Sequence, residues 1–163
     1  MATYQSDTSI KMSIVVEAPL ERAFSVFTEG IGTWFPPEYN LLEAPIAERV
    51  FEPRAGGEVY DRGTDGTECH WGKVLAWEPP GRVVFAWKIN PQWQIEDDLS
   101  RVSEVEVRFA ADGPERTRVD LEHRHLDRHG DGWEPLRGAL DSEGGWPGCL
   151  QAFAAHVAGP PAD

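Results

Sequence analysis

The sequence lacks any long hydrophobic run: nothing in its 163 residues approaches the roughly 18 consecutive apolar residues of a membrane-spanning helix, so membrane insertion is not expected. Its opening stretch, MATYQSDTSIKMSIVVEAPL, has neither an apolar core of secretory length nor a small-residue cleavage site, and a cytoplasmic protein is the expectation. Cysteine is scarce. Cys69 and Cys149 lie far apart without metal-ligand spacing and read as two reduced thiols. Positive charge is also short, with 15 Lys and Arg against 28 Asp and Glu and a net charge of -13. Neutralising phosphates needs clustered cations, so nucleic acid is excluded as a partner.

Sequence motifs of catalysis are missing as well. There is no GxSxG, no HExxH, no phosphate loop and no dinucleotide fingerprint, since GIGTWF lacks both the third glycine and a preceding strand. No cofactor is expected. His123 and His125 are spaced to share a strand face, but no third ligand accompanies them, and no metal is expected either.

What is present is a regular succession of strands. In SIKMSIVVEA, Ile10, Met12, Ile14 and Val16 alternate with Lys11, Ser13 and Glu17, the period of a half-buried strand. PLERAFSVF places Leu20, Ala23, Phe24 and Phe27 at helical spacing behind Pro19, which suits a first turn. A break, GIGTWFPPEYN, then holds the aromatic pair Trp34 and Phe35 and room for one more helical turn. From residue 46 onward, IAERVFEP, EVYDRG, ECHWGKVLAWE, RVVFAWKI, SEVEVRFAA and ERTRVDLEHRHL are separated by glycine- and proline-rich turns, Asp65-Gly66 being a hairpin signal. These read as antiparallel strands with one wet and one covered face. GGWPGCLQAFAAHVAGPP covers them: Trp146, Leu150, Phe153 and Val157 recur at helical spacing, and Phe153 is expected against the sheet. The fold class is therefore α+β, a sheet of six or seven strands closed by a long C-terminal helix, with short helices after the first strand, in one domain over residues 1–163.

The stretches VVEAPLERAFSVFTEGIGTWFP, DGTECHWGKVLAWEPPGRVVFAWKI, TRVDLEHRHL and GGWPGCLQAFAAHV together resemble the START-like helix-grip superfamily (SRPBCC). The similarity is strongest to the branch named after activators of the heat-shock protein 90 ATPase, and it spans about residues 8–158. It implies a curved antiparallel sheet gripping the C-terminal helix, with a cavity between them that in many relatives holds an apolar or aromatic molecule. Some relatives are polyketide cyclases or aromatases. DRHGDGWEPLRGALDSE, with its additional Gly-Trp, falls where the resemblance implies a loop over the cavity mouth.

Alternation turns Phe85 and Trp87 toward that cavity with Val83 and Ile89, and Trp71 is expected beside them. Trp93, following Asn90-Pro91, falls in a loop, where an aromatic at the rim would serve as a lid. Trp34 is a further candidate for the lining. Among polar groups, His123 shares the inner face of Val119 and Leu121; Tyr60 and His70 depend on strand register. Aromatic side chains also dominate ordinary cores, and a buried histidine is often only a satisfied core group.

Three functional readings follow. The first is binding of an apolar or aromatic small molecule, lipid-like or polyketide-like. The second is a cyclase, aromatase or hydrolase-like enzyme using a pocket histidine, His123, as acid or base. The third is a module that stimulates a chaperone ATPase. A chaperone and a second copy of the chain, as a homodimer, stay open as partners.

Overall fold

The computed structural model describes residues 8–36 and 41–158. Its strands are β1 (Ile10–Val16), β2 (Ile46–Phe51), β3 (Glu58–Gly63), β4 (Glu68–Glu78), β5 (Arg82–Trp87), β6 (Ser103–Ala111) and β7 (Thr117–Arg124). The helices are α1 (Leu20–Phe27) and α2 (Ile31–Trp34) between β1 and β2, then α3 (Trp133–Leu140) and α4 (Trp146–Val157) after β7. All seven strands form one antiparallel, curved sheet in the order β1-β7-β6-β5-β4-β3-β2. This is the α+β helix-grip arrangement. No helix among the described residues is long and apolar enough to cross a membrane.

Alternation explains the sheet's two faces. Val105, Val107 and Phe109 of β6 and Val119, Leu121 and His123 of β7 are buried inside, opposite one another in register. On the outer face the intervening residues are charged. Glu106 is buried there among Arg82 (2.5 Å), Arg108 (3.0 Å) and Arg124 (2.5 Å). Their hydrogen bonds outweigh its burial and hold the carboxyl down at about 2.

Helix α4 grips the inner face. Its spacing puts Trp146, Leu150, Phe153 and Val157 on one buried stripe, and each such side chain contributes about 1.5–3 kcal/mol on leaving water. Phe153 is fully buried and packs against Phe27 and Trp34, each with ring centroids at 5.2 Å. Ala23, Phe24 and Phe27 close the same core from α1.

Two segments differ from the sequence expectation. The stretch read as a loop over the cavity mouth is helical over Trp133–Leu140, because Leu136 and Leu140 give it a buried side of its own. Strand β5 ends at Trp87, two residues early. Beyond it Ile89 and Ile95 form an isolated bridge that folds residues 89–95 into a small hairpin.

Candidate functional site

A cavity of about 240 Å³ lies between the inner face of β3–β5, the start of α4 and the hairpin after β5. Its walls are mostly indole: Trp71 from β4, Trp87 from β5 and Trp146 from α4. Trp87 meets Trp71 at 5.5 Å and Trp146 at 5.7 Å, both edge to face, so the three rings form a box rather than a stack. Phe35 and Cys149 complete the interior, while Trp93, Ala139 and Gly144 stand at the exposed mouth.

An irregularity in pairing brings Trp71 to this wall. Val59 pairs with Gly72, but Tyr60 pairs with His70, so Trp71 is an extra residue in β4. Gly72 permits the close approach: a Cβ there would lie 3.0 Å from the Val59 side chain and 3.1 Å from the Ala86 carbonyl.

The bulge also aligns Trp71 with Asp61 of β3. The Trp71 indole N–H donates to Asp61 Oδ1 at 3.1 Å, and Arg49 Nε donates to the same oxygen at 2.7 Å. Arg49 Nη2 reaches Oδ2 at 3.3 Å, while Nη1 donates to the carbonyls of Phe35 and Pro36. The guanidinium also lies 4.7 Å from the Phe35 ring centre. One buried ion pair thus fixes two cavity walls. Cys69, paired with Asp61 across β3–β4, also lines the cavity. Burial and then the Asp61 charge push its thiol pKa up, so thiolate chemistry is disfavoured there.

Behind the indole box runs a buried polar chain. Trp146 Nε1 donates to His123 Nδ1 at 3.0 Å, which leaves the neutral imidazole proton on Nε2. That proton goes to Ser103 Oγ at 2.7 Å, and the serine hydroxyl in turn donates to His129 Nε2 at 2.8 Å. His129 then carries its own proton on Nδ1. Among the described residues, Nδ1 of His129 and Nε1 of Trp87 are the buried side-chain atoms without a partner. Burial, and secondly His129, lowers the His123 pKa to about 3; burial lowers that of His129 to about 4.

The structure brings Trp71, Trp87 and Trp93 together around the cavity. It places the other four candidates elsewhere. Phe85 sits beneath the wall, against Phe51 and Trp71. Trp34 belongs to the core under α4, its indole N–H bound to the Val26 carbonyl at 2.9 Å. Tyr60 stacks on His70 at 4.6 Å on the outer face, where β3–β4 pairing turns both away from the cavity. His123 is off the cavity lining, with 0% exposure and both ring nitrogens engaged. It presents no nitrogen for acid–base work in the cavity. The sequence alone does not mark Asp61, Arg49 or Trp146 as site residues. Their signal is a carboxylate and a guanidinium at inner-facing positions of neighbouring strands, visible only once register is known.

Residues 17–158 match the family described as Activator of Hsp90 ATPase homolog 1-like protein. Among solved structures, an anthrahydroquino-γ-pyrone synthase, Txn09, complexed with SUM, is 41% identical, with 91% of this chain and 96% of that one covered and a TM-score of 0.65. The self-sacrificing resistance protein CalC from Micromonospora echinospora is 33% identical over 93% of this chain and 94% of its own, with a TM-score of 0.68. Protein NE0264 from Nitrosomonas europaea, 15% identical over 93% and 95% of the two chains at a TM-score of 0.65, shares the fold. No curated protein sequence matches the chain.

Proposed function

Because the chain belongs to the Activator of Hsp90 ATPase homolog 1-like family, within the START-like helix-grip superfamily, we propose that it binds a flat, apolar aromatic molecule of polyketide-like chemistry between its sheet and α4. The observation that carries this reading is the indole box: three edge-to-face tryptophans enclose one space that they do not fill. Its volume of about 240 Å³ falls a little short of the roughly 300 Å³ at the low end of small-molecule sites. A flat ring system fits that space, with any remainder of the ligand at the open mouth beside Trp93. Direct evidence would come from calorimetric titration with anthraquinone. Saturable one-to-one binding supports the proposal, and no heat or quenching at saturation would count against it.

A second reading is favoured by the 41% identity to a synthase. The same cavity would then fold and align a reactive aromatic precursor for ring closure, with catalysis arising from orientation in a dry, shaped space. Incubation with a linear aromatic precursor, followed by mass and chromatographic analysis, separates a cyclase from a binding protein. The chaperone in the family's name draws no support from the cavity, and a shared fold does not transfer a function.

A further inference from the structure

Asp61 is the one charged side chain among the described residues that line the cavity, and it is only 1% exposed. Its surroundings are asymmetric. Every nitrogen of the Arg49 guanidinium is already committed: Nε and Nη2 to Asp61, and Nη1 to two main-chain carbonyls at 3.2 and 3.1 Å. The cation therefore has little to offer a ligand. The anion does. A carboxylate has about four acceptor positions, and Asp61 uses two on Oδ1 and a single long contact of 3.3 Å on Oδ2. Acceptor capacity remains on a side chain that forms part of the cavity wall.

We infer that Asp61 selects the ligand by accepting a hydrogen bond from a hydroxyl on its aromatic ring system, so that phenols and enols are held and their ethers are not. This rests on the proposed reading of the cavity as an aromatic-ligand site. A phenol fits better than an ammonium group. Arg49 already neutralises the carboxylate, and a second cation would sit within a few ångströms of the guanidinium in a poorly screened interior. A neutral hydroxyl brings a donor without that repulsion. The cavity also has few competing partners for it, since the walls are indole, phenyl and thiol groups. The raised thiol pKa of Cys69, caused secondly by Asp61, is consistent with a carboxylate whose field reaches neighbouring cavity groups.

The same acceptor pins Trp71, so Asp61 joins orientation of the wall to orientation of the ligand. Replacing Asp61 alone would leave Arg49 as an unpaired buried cation and threaten the fold. The test therefore uses the apolar pair Asp61→Leu/Arg49→Met, which roughly keeps the pair's side-chain volume and leaves no acceptor at position 61, with 2-hydroxyanthraquinone and 2-methoxyanthraquinone as probes. The unaltered protein is expected to bind the hydroxy compound about tenfold or more tightly than the ether, as for a hydrogen bond to a charged group. Whatever affinity the altered wall of the double variant costs both compounds, the ratio of the two affinities should fall to about one, because only the hydroxy compound loses a hydrogen bond. A preference of about tenfold kept by the variant would overturn the role of Asp61. A second readout needs no variant: on binding, the long-wavelength band of the hydroxy compound should move further to the red than that of the ether. Equal affinities, or equal band shifts, in the unaltered protein would overturn the role of Asp61 while leaving the cavity reading intact. Binding of neither compound would overturn both.

Discussion

The indole N–H of Trp146 meets Nδ1 of His123 at 3.0 Å, tying the cavity wall contributed by α4 to the last inner-facing residue of β7. The imidazole is a structural hinge pin here: it joins helix to strand, and through Ser103 it joins both to the turn holding His129.

Removing that joint should be costly. His123→Ala leaves the Trp146 N–H without its acceptor, takes from Ser103 Oγ the proton it accepts, and opens a void. Urea denaturation should show a loss of at least about 2 kcal/mol, since each buried polar group left unpaired costs about 1–3 kcal/mol. A loss below about 0.5 kcal/mol, the size of a surface change, would contradict the chain.

Acid should destabilise the protein over two overlapping pH windows. His123 and His129 have folded-state pKa values of about 3 and about 4, below the ordinary 6.5, so the unfolded chain takes up their protons first. Stability is then complete above about pH 6.5 and falls as pH drops toward 4 and then 3, by at most about 1.4 kcal/mol per pH unit for each histidine. Glu106, held at about 2 against 4.5, adds a loss that begins near pH 4.5 and runs down to about 2. Denaturation midpoints from pH 8 to 4 check this. His129→Gln should flatten the slope between pH 6.5 and 4, and an unchanged slope would show that His129 is not the group being protonated.

Phe153 should be among the least replaceable side chains of α4. It is fully buried and outside the cavity lining, so Phe153→Ala should cost the about 3–5 kcal/mol typical of emptying an aromatic core site. Chemical denaturation provides the number.

Trp93 and Trp87 should separate binding from folding. Trp93 is 55% exposed at the mouth and sits at φ 60, where alanine is strained as tryptophan is. Trp93→Ala should therefore leave stability within about 0.5 kcal/mol while weakening an aromatic ligand through a faster off-rate. Trp87→Ala should lower both, because Trp87 is buried against Trp71, His123 and Trp146. Stopped-flow fluorescence and denaturation on the two variants give the comparison. Equal ligand kinetics for Trp93→Ala and the unaltered protein would remove Trp93 from the site.

The seven strands and α4 could be read from the sequence because their evidence is local: period-two alternation as in Val105, Val107 and Phe109, and the helical stripe from Trp146 to Val157. The same alternation turned Trp87 inward. It could not say which inward rings border empty space, and Phe85, on the same face two residues away, is core. The facing of Trp71 depends on a one-residue bulge in β4, opposite Val59 and Tyr60, which shifts the alternation of β4 at that point and is not encoded as a local pattern, whereas Tyr60 follows the unbroken alternation of β3. Asp61 stood out least, as one more carboxylate in an acidic chain until β2 and β4 supplied Arg49 and Trp71. Helix α3 was obscured by the glycines around Trp133, which punctuate its start but do not interrupt it.

The seven tryptophans permit a direct test of the central claim, since each indole gives its own nitrogen–proton correlation in a labelled sample. Titration with anthraquinone should move the signals of Trp71, Trp87, Trp93 and Trp146, which line the cavity, and leave those of Trp34, Trp77 and Trp133, which do not. Signals assigned one at a time through Trp→Phe variants make the pattern unambiguous. Movement confined to the first four is the result the account predicts; movement of Trp34, Trp77 or Trp133 while those four stay fixed, or no movement at saturating ligand, would contradict it.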